Sequence, residues 1–128
     1  MNRYLESRYA RGGRDYPDLD CWGLTRLART ELFGRPMLPL CSNAQPGDFR
    51  AITQACSEVS GVAELAPSQP QPGAIATAWC ASLCIHVGLV VDADGRRWVL
   101  ETDDPTGPCL TPLKRFESRY TRVIYYDD

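Results

Sequence analysis

Residues 20–34, Asp-Cys-Trp-Gly-Leu-Thr-Arg-Leu-Ala-Arg-Thr-Glu-Leu-Phe-Gly, form the stretch of sequence on which the fold depends most. Apolar side chains recur at positions 24, 27, 28 and 32, which share one face at the helical period of 3.6 residues. Asp20 is a favourable N-cap, and Gly34 can end the helix in a left-handed conformation, with Pro36 just beyond it. The pattern therefore predicts an amphipathic helix over residues 21–33.

The segments around this helix are mostly loops. Residues 1–10 allow a weak helix, and residues 11–18 indicate a loop because they contain a Gly pair and a proline. After a loop over 35–48, Asp48 can cap a second helix that extends to about Val59. In that helix positions 52, 55, 56 and 59 share one face, so Cys56 is expected to be a small buried hydrophobe.

The second half of the chain changes from helical to strand-like patterns after a break over residues 66–73, which hold three prolines and a glycine. The sequence predicts strands over 74–79, 85–91, 97–101 and 121–126, with a hairpin turn over 92–95. Helices first and strands afterwards indicate an α+β fold, with N-terminal helices packed on one side of a C-terminal antiparallel sheet.

Length and composition indicate one domain, residues 1–128. Hydrophobic residues make up 44% and charged residues 23% of the chain, and the net charge is −2, which argues against a disordered chain and a nucleic-acid binder. No apolar run approaches the roughly 20 residues of a membrane helix. The charged N-terminus lacks a signal-peptide core, so we expect cytoplasmic synthesis, no membrane insertion and free thiols at the six cysteines.

One cysteine differs from the others by its position. Cys21 follows the N-cap Asp20 directly, in the first turn of the best-defined helix. The unpaired amides and the dipole of that turn favour a thiolate over a thiol. An efficient nucleophile also needs a base, and the chain contains a single histidine, His86, within the predicted strand 85–91.

A third polar group should orient the histidine ring. The strand that returns from the hairpin brings Glu101, Thr102 and Asp103 to its far end. If the turn lies near residues 93–95, position 101 or 102 falls roughly opposite His86 or the residue after it. Glu101 is therefore the preferred orienting residue, Asp103 the second choice, and Thr102 remains open.

These motifs resemble those of the NlpC/P60 family of papain-like cysteine peptidases. The matching segments are Gly12-Gly13, Asp20-Cys21-Trp22-Gly23-Leu24, Gln71-Pro72-Gly73 and His86-Val87-Gly88-Leu89. Together with Leu38-Pro39, the Asp-Cys-Trp-Gly-Leu motif is similar to a subgroup found among phage tail assembly proteins. The resemblance extends from about residue 8 to 126 and implies a papain-like α+β fold.

The resemblance also implies roles for individual residues. Cys21 matches the family's nucleophile, His86 its general base, and Tyr9 an aromatic residue whose hydroxyl lies near the nucleophile. Glu101 stands where the family has His, Asn or Gln, and the Asp of the family's Pro-Gly-Asp motif is missing after Gly73. The implied activity is hydrolysis of peptidoglycan stem peptides without a cofactor, in a phage or prophage tail and alongside other tail proteins.

Two other interpretations remain open. The first is a tail-assembly scaffold that keeps the fold but hydrolyses slowly or not at all. The second is a zinc module in which Cys80, Cys84 and His86 share a strand face and Cys109 is a fourth ligand, although Cys80 and Cys84 are more simply interpreted as small core residues. Arg11 and Arg14 are expected in a solvated loop, where they could contact an acidic peptide.

Overall fold

In the computed structural model, which describes residues 1–42 and 44–128, a six-stranded sheet lies between helices on its two faces. Asn43, within the predicted loop 35–48, lies outside the described residues. The helices are α1 (Asn2–Leu5), α2 (Cys21–Phe33), α3 (Phe49–Val62) and α4 (Leu113–Ser118). The strands are β1 (Arg8–Tyr9), β2 (Arg14–Asp15), β3 (Asp18–Leu19), β4 (Ala66–Ser68), β5 (Ile75–Cys80), β6 (Leu83–Ala93), β7 (Arg96–Asp103), β8 (Gly107–Pro112) and β9 (Arg122–Asp127).

The helix α2 has the bounds and the caps that the sequence predicts. The Asp20 side chain accepts a hydrogen bond from the Gly23 amide at 2.8 Å, and Gly34 adopts the left-handed conformation with φ 66°. Asp48 caps α3 in the same way through the Ala51 amide, and α3 runs three residues beyond the predicted end. These ends follow from local sequence, because a cap needs only neighbouring backbone groups.

The main sheet has the order β4-β9-β5-β6-β7-β8, and every pair of neighbouring strands is antiparallel. The four predicted strands correspond to β5, β6, β7 and β9. The hairpin between β6 and β7 turns at Asp94 and Gly95, which both have positive φ, as an Asp-Gly pair in such a turn requires. The α+β class is confirmed, and α1, α2 and α3 precede the main sheet as expected, whereas β1–β3 come before α2 and α4 comes before β9.

Several other elements were not predicted from the sequence. The predicted loop 11–18 belongs to a small sheet of order β1-β3-β2, in which β1 and β3 are parallel. The predicted break 66–73 includes the short strand β4, and neither β8 nor α4 was expected. Two-residue and edge strands bury few side chains and leave little periodicity to detect.

The sheet buries both faces against helices. Leu89 and Leu100 pack with α2 in one cluster, whereas Val90 and Val99 pack with Phe116 of α4 in another. Alternate residues of a strand point to opposite faces, so α4 lies on the face opposite to α2. The expectation that all helices lie on one side is therefore wrong for α4.

Candidate active site

Cys21 is the first residue of α2 and is half-buried. The small sheet holds this helix start in place, because the Gly13 carbonyl accepts a hydrogen bond from the Asp20 amide at 3.0 Å. A Cβ on Gly23 would overlap the Gly13 carbonyl oxygen. The glycines of the Gly-Gly and Asp-Cys-Trp-Gly motifs thus allow the loop to approach the helix start closely.

A buried ion pair joins the same loop to the helix. Arg14 pairs with the N-cap Asp20, which is 1% exposed. The Arg14 guanidinium also donates to the carbonyls of Leu40, Cys41 and Ala44 at 2.9–3.2 Å. The expectation of a solvated Arg14 available to an acidic peptide is therefore wrong, because its donors are taken up inside the protein; Arg11 is exposed as expected.

His86 lies on β6, close to the start of α2, in the part of the strand where the pairing with β7 has ended. The paired residues of these strands run from Ala93 and Arg96 only to Leu89 and Leu100, although β6 begins at Leu83 and β7 continues to Asp103. In this part of β6, which still pairs with β5 but no longer with β7, the His86 ring is 4% exposed. The Cys21 side chain lies close enough to the ring to contribute to the raised pKa of His86.

Glu101 is the carboxylate that contacts the ring most closely. Its Oε1 lies 2.9 Å from Nε2 of His86, while its Oε2 accepts from the Thr111 hydroxyl and, at 2.6 Å, from Arg119. Continued from the Leu89–Leu100 pair, the register sets Thr102 opposite Val87, which is one of the expected pairings, and it sets Glu101 opposite Gly88. Glu101 reaches the ring diagonally, within the range that long side chains span between strands.

Gly88 lies next to the contact between Glu101 and His86, and it has no side chain that would crowd this region. A Cβ at this position would overlap Cγ1 of Val99 and would lie 3.5 Å from Cβ of Glu101. The packing near the candidate base therefore favours glycine at this position of the His-Val-Gly motif.

The two alternatives to Glu101 are placed differently. Oδ2 of Asp103 lies 3.9 Å from Nδ1 of His86, and this carboxylate is 61% exposed. The Thr102 hydroxyl is buried and has no hydrogen-bond partner in the described part of the chain. Nε2 is therefore bonded to Glu101, whereas the nearest carboxylate to Nδ1 among these candidates is the exposed one of Asp103.

The electrostatics of the site favour a charged imidazole. Burial alone would lower the pKa of His86, but hydrogen bonds and negative charge from Cys21 and Glu101 raise it to about 10. Burial likewise opposes ionisation of Glu101, yet His86, Thr111 and Arg119 hold the pKa of its carboxyl below its usual range. At neutral pH the imidazole is therefore charged, and the Glu101 carboxylate next to it is paired with the Arg119 guanidinium.

Two tyrosines border the same charges. Burial, followed by the negative charges of Asp103, Cys21 and Asp20, raises the pKa of Tyr9. Tyr120 has its ring 6.3 Å from the His86 ring, and burial is the main cause that raises its pKa to about 12. Both hydroxyls therefore stay protonated and can donate at neutral pH.

Sequence reasoning missed four residues around the histidine: Thr111, Phe116, Arg119 and Tyr120. Arg119 lies over the Phe116 and Tyr120 rings at 5.2 and 5.5 Å while it pairs with Glu101. The alternation in Cys109-Leu110-Thr111 could have indicated β8. No local pattern indicates that α4 lies against His86, because that contact is made only by the tertiary fold.

A cavity lies beside Cys21, between α2, α3 and the sheet. Its volume is about 60 Å³, and its walls are almost entirely apolar. The face of α3 predicted from positions 52, 55, 56 and 59 forms one wall, and Val87 and Ile75 contribute from the sheet. Cys56 lines this cavity as part of an apolar face, but it is half-buried rather than buried as expected.

The residues of the zinc hypothesis do not converge. Cys80 ends β5 and Cys84 lies on β6, so they belong to two strands of a hairpin rather than to one strand face. Cys84 is buried, but Cys80 is exposed, which makes its expected core position wrong. Among residues 1–42 and 44–128, no group of three His, Cys, Asp or Glu side chains is placed to hold a metal ion. The six cysteines are free thiols in the described structure.

Comparisons with known proteins returned no matching family model, no matching characterised protein and no matching solved structure. Within the described chain, none of the helices combines the length and the apolar character that crossing a membrane requires. The α+β class and the geometry around Cys21 are the findings on which a functional interpretation can rest.

Proposed function

We propose that this chain is a cysteine hydrolase with an NlpC/P60-type papain-like fold that cleaves amide bonds in the stem peptides of bacterial peptidoglycan. The observation that carries the proposal is the contact of Cys21 with His86, whose ring is held in turn by Glu101. The sequence motifs around Cys21 and His86 suggest the substrate and a setting in a phage or prophage tail.

The reaction begins with attack of the Cys21 thiolate on the scissile carbonyl carbon. The Cys21 amide has no acceptor within α2, as is general for the first turn of a helix, so it can donate to the developing oxyanion, and the neighbouring Tyr9 hydroxyl supplies a second donor. His86 then gives a proton to the leaving amine, and the acyl group remains on sulfur as a thioester.

A water molecule completes the cycle. Neutral His86 takes a proton from water, the hydroxide adds to the thioester carbonyl, and the carboxylic product leaves as the thiolate re-forms. Glu101 keeps the ring oriented and stabilises its charged form, while Thr111 and Arg119 hold Glu101. A charged orienting residue replaces the neutral amide or imidazole of related motifs, and Arg119 compensates its charge.

The proposal is tested by incubating the purified protein with peptidoglycan sacculi and identifying released peptides by mass spectrometry. Cys21→Ser should fold normally and release nothing, because the hydroxyl is a far weaker nucleophile. Cys80→Ser is the matched control and should release peptides at the wild-type rate, since this thiol is exposed at the end of β5 and does not line the cavity. Release by Cys21→Ser at the wild-type rate would refute the assignment.

Site-resolved alkylation separates the hydrolase from an inactive tail-assembly scaffold with the same fold. For the hydrolase, iodoacetamide should modify Cys21 well below pH 8 and much faster than the other five cysteines. Slow and uniform modification of all six, with no peptide released, would favour the scaffold.

A further inference from the structure

The side chains that line the cavity beside Cys21 indicate which chemical groups of a substrate it can bind. Its walls include Trp22 at the helix start, Ile52 and Ala55 on α3, and Val87 on β6. No Lys, Arg or His of the described residues lines it, and the one carboxylate in its wall, Asp20, is already paired with Arg14. A carboxylate placed there would lose its hydration without gaining a cationic partner among the described residues.

The cavity lies on one side of the sheet and the candidate base on the other. Val87 contributes to the cavity on the α3 side, whereas the His86 ring packs against Phe116 of α4 at 6.0 Å. Because His86 must protonate the leaving amine, the leaving part of the substrate lies toward His86. The group that enters the cavity is then the acyl part, whose carbonyl carbon Cys21 attacks.

We infer that the cavity is the acyl-binding site and that it takes a short aliphatic group, not a carboxylate-bearing one. The inference rests on the proposed function and narrows it. In a stem peptide it selects bonds whose carbonyl comes from an alanyl residue over bonds whose carbonyl comes from a glutamyl residue. Arg14 does not provide a counter-ion for a substrate carboxylate, because its donors are engaged by Asp20 and by three backbone carbonyls.

The experiment uses p-nitrophenyl esters of acetate, valerate and glutarate with the full chain. In each case the Cys21 sulfur bonds to the carbonyl carbon, the bond to p-nitrophenolate breaks, and water then hydrolyses the thioester to the free acid and the thiol. Valerate and glutarate have five carbons each and differ in a terminal methyl against a terminal carboxylate, so they form a matched pair.

We expect kcat/KM to rise from acetate to valerate by up to about fourfold for each methylene that becomes fully buried. Glutarate should react at least about a hundredfold more slowly than valerate, because its carboxylate would be buried without a partner. The variant Ala55→Leu narrows the cavity and should reduce the valerate-to-acetate ratio about tenfold or more. Ser57→Leu adds the same side chain on the exposed side of α3 and should leave the ratio unchanged.

The outcomes distinguish this inference from the proposed function. Hydrolysis of acetate by Cys21 with equal rates for valerate and glutarate would overturn the acyl-site assignment and leave the hydrolase intact. A valerate preference that survives Ala55→Leu would also overturn it, since the preference would then arise elsewhere. Failure of all three esters, together with unselective alkylation of the cysteines, would refute the hydrolase and the acyl site with it.

Discussion

Replacing Glu101 by Gln removes one negative charge next to His86 while it keeps the size of the side chain and an oxygen that can accept from Nε2. In the wild-type protein the Glu101 and His86 side chains are each 4% exposed and lie 2.9 Å apart. Two unit charges about 4 Å apart interact by about 4 kcal/mol at an effective permittivity of about 20. Opposite charges at such distances usually shift a pKa by about 1–3 units.

The variant should therefore lower the pKa of His86 from about 10 by about 1–3 units. The assay is the pH titration of the imidazole Cε1–H signal by NMR, between pH 5 and pH 11. The chain has a single histidine, so the signal needs no assignment. Asp103→Asn is the control: this carboxylate lies 3.9 Å from Nδ1 but is 61% exposed, so solvent screens it and the shift should be smaller.

The raised pKa of His86 also makes the free energy of unfolding depend on pH. The pKa of His86 is higher in the folded protein than its ordinary value of 6.5, so its contribution to stability is fully present below about pH 6.5 and is lost as the pH rises through about 10. Urea unfolding of the Glu101→Gln variant should show a smaller loss over this window. A wild-type midpoint near 6.5, or equal midpoints in the wild type and Glu101→Gln, would refute the electrostatic account of the site.

Two further substitutions test the packing that positions the site. Gly88→Ala should destabilise the fold by about 1–3 kcal/mol, because the added Cβ overlaps Cγ1 of Val99; unchanged thermal unfolding would contradict this. Arg14→Met should destabilise by about 3–5 kcal/mol, because it leaves the Asp20 carboxylate buried without its partner. The exposed Arg11→Met is its control and should change stability by less than about 0.5 kcal/mol, so equal losses in denaturant would remove Arg14 from this role.

The candidate site could be predicted in part from the sequence. The helix start at Cys21, the strand around His86 and the choice of Glu101 over Asp103 and Thr102 all came from local patterns and a hairpin estimate. That estimate allowed Thr102 opposite Val87, which is the pairing reached when the observed register is continued. Glu101 then falls opposite Gly88 and contacts the ring along the diagonal, next to a position that has no side chain.

Sequence reasoning treated Arg14 and the second face of the sheet incorrectly. An arginine in a Gly-rich loop usually projects into water, but here the loop folds back on α2 and the guanidinium satisfies buried backbone carbonyls. The sequence offered no sign that α4 would cover the His86 face, since a six-residue helix carries little periodicity.

Three elements follow from local sequence signals: α2 with its Asp20 and Gly34 caps, the start of α3, and the Asp-Gly hairpin. These depend on hydrogen bonds and backbone preferences within a few residues. Other features arise only from the packing of the folded chain. Cys21 and His86 lie together where the pairing of β6 with β7 ends. Arg119 bonds to Glu101, and an apolar cavity adjoins Cys21. Such contacts join residues far apart in the chain, and they depend on how the sheet and the helices pack rather than on any neighbouring sequence.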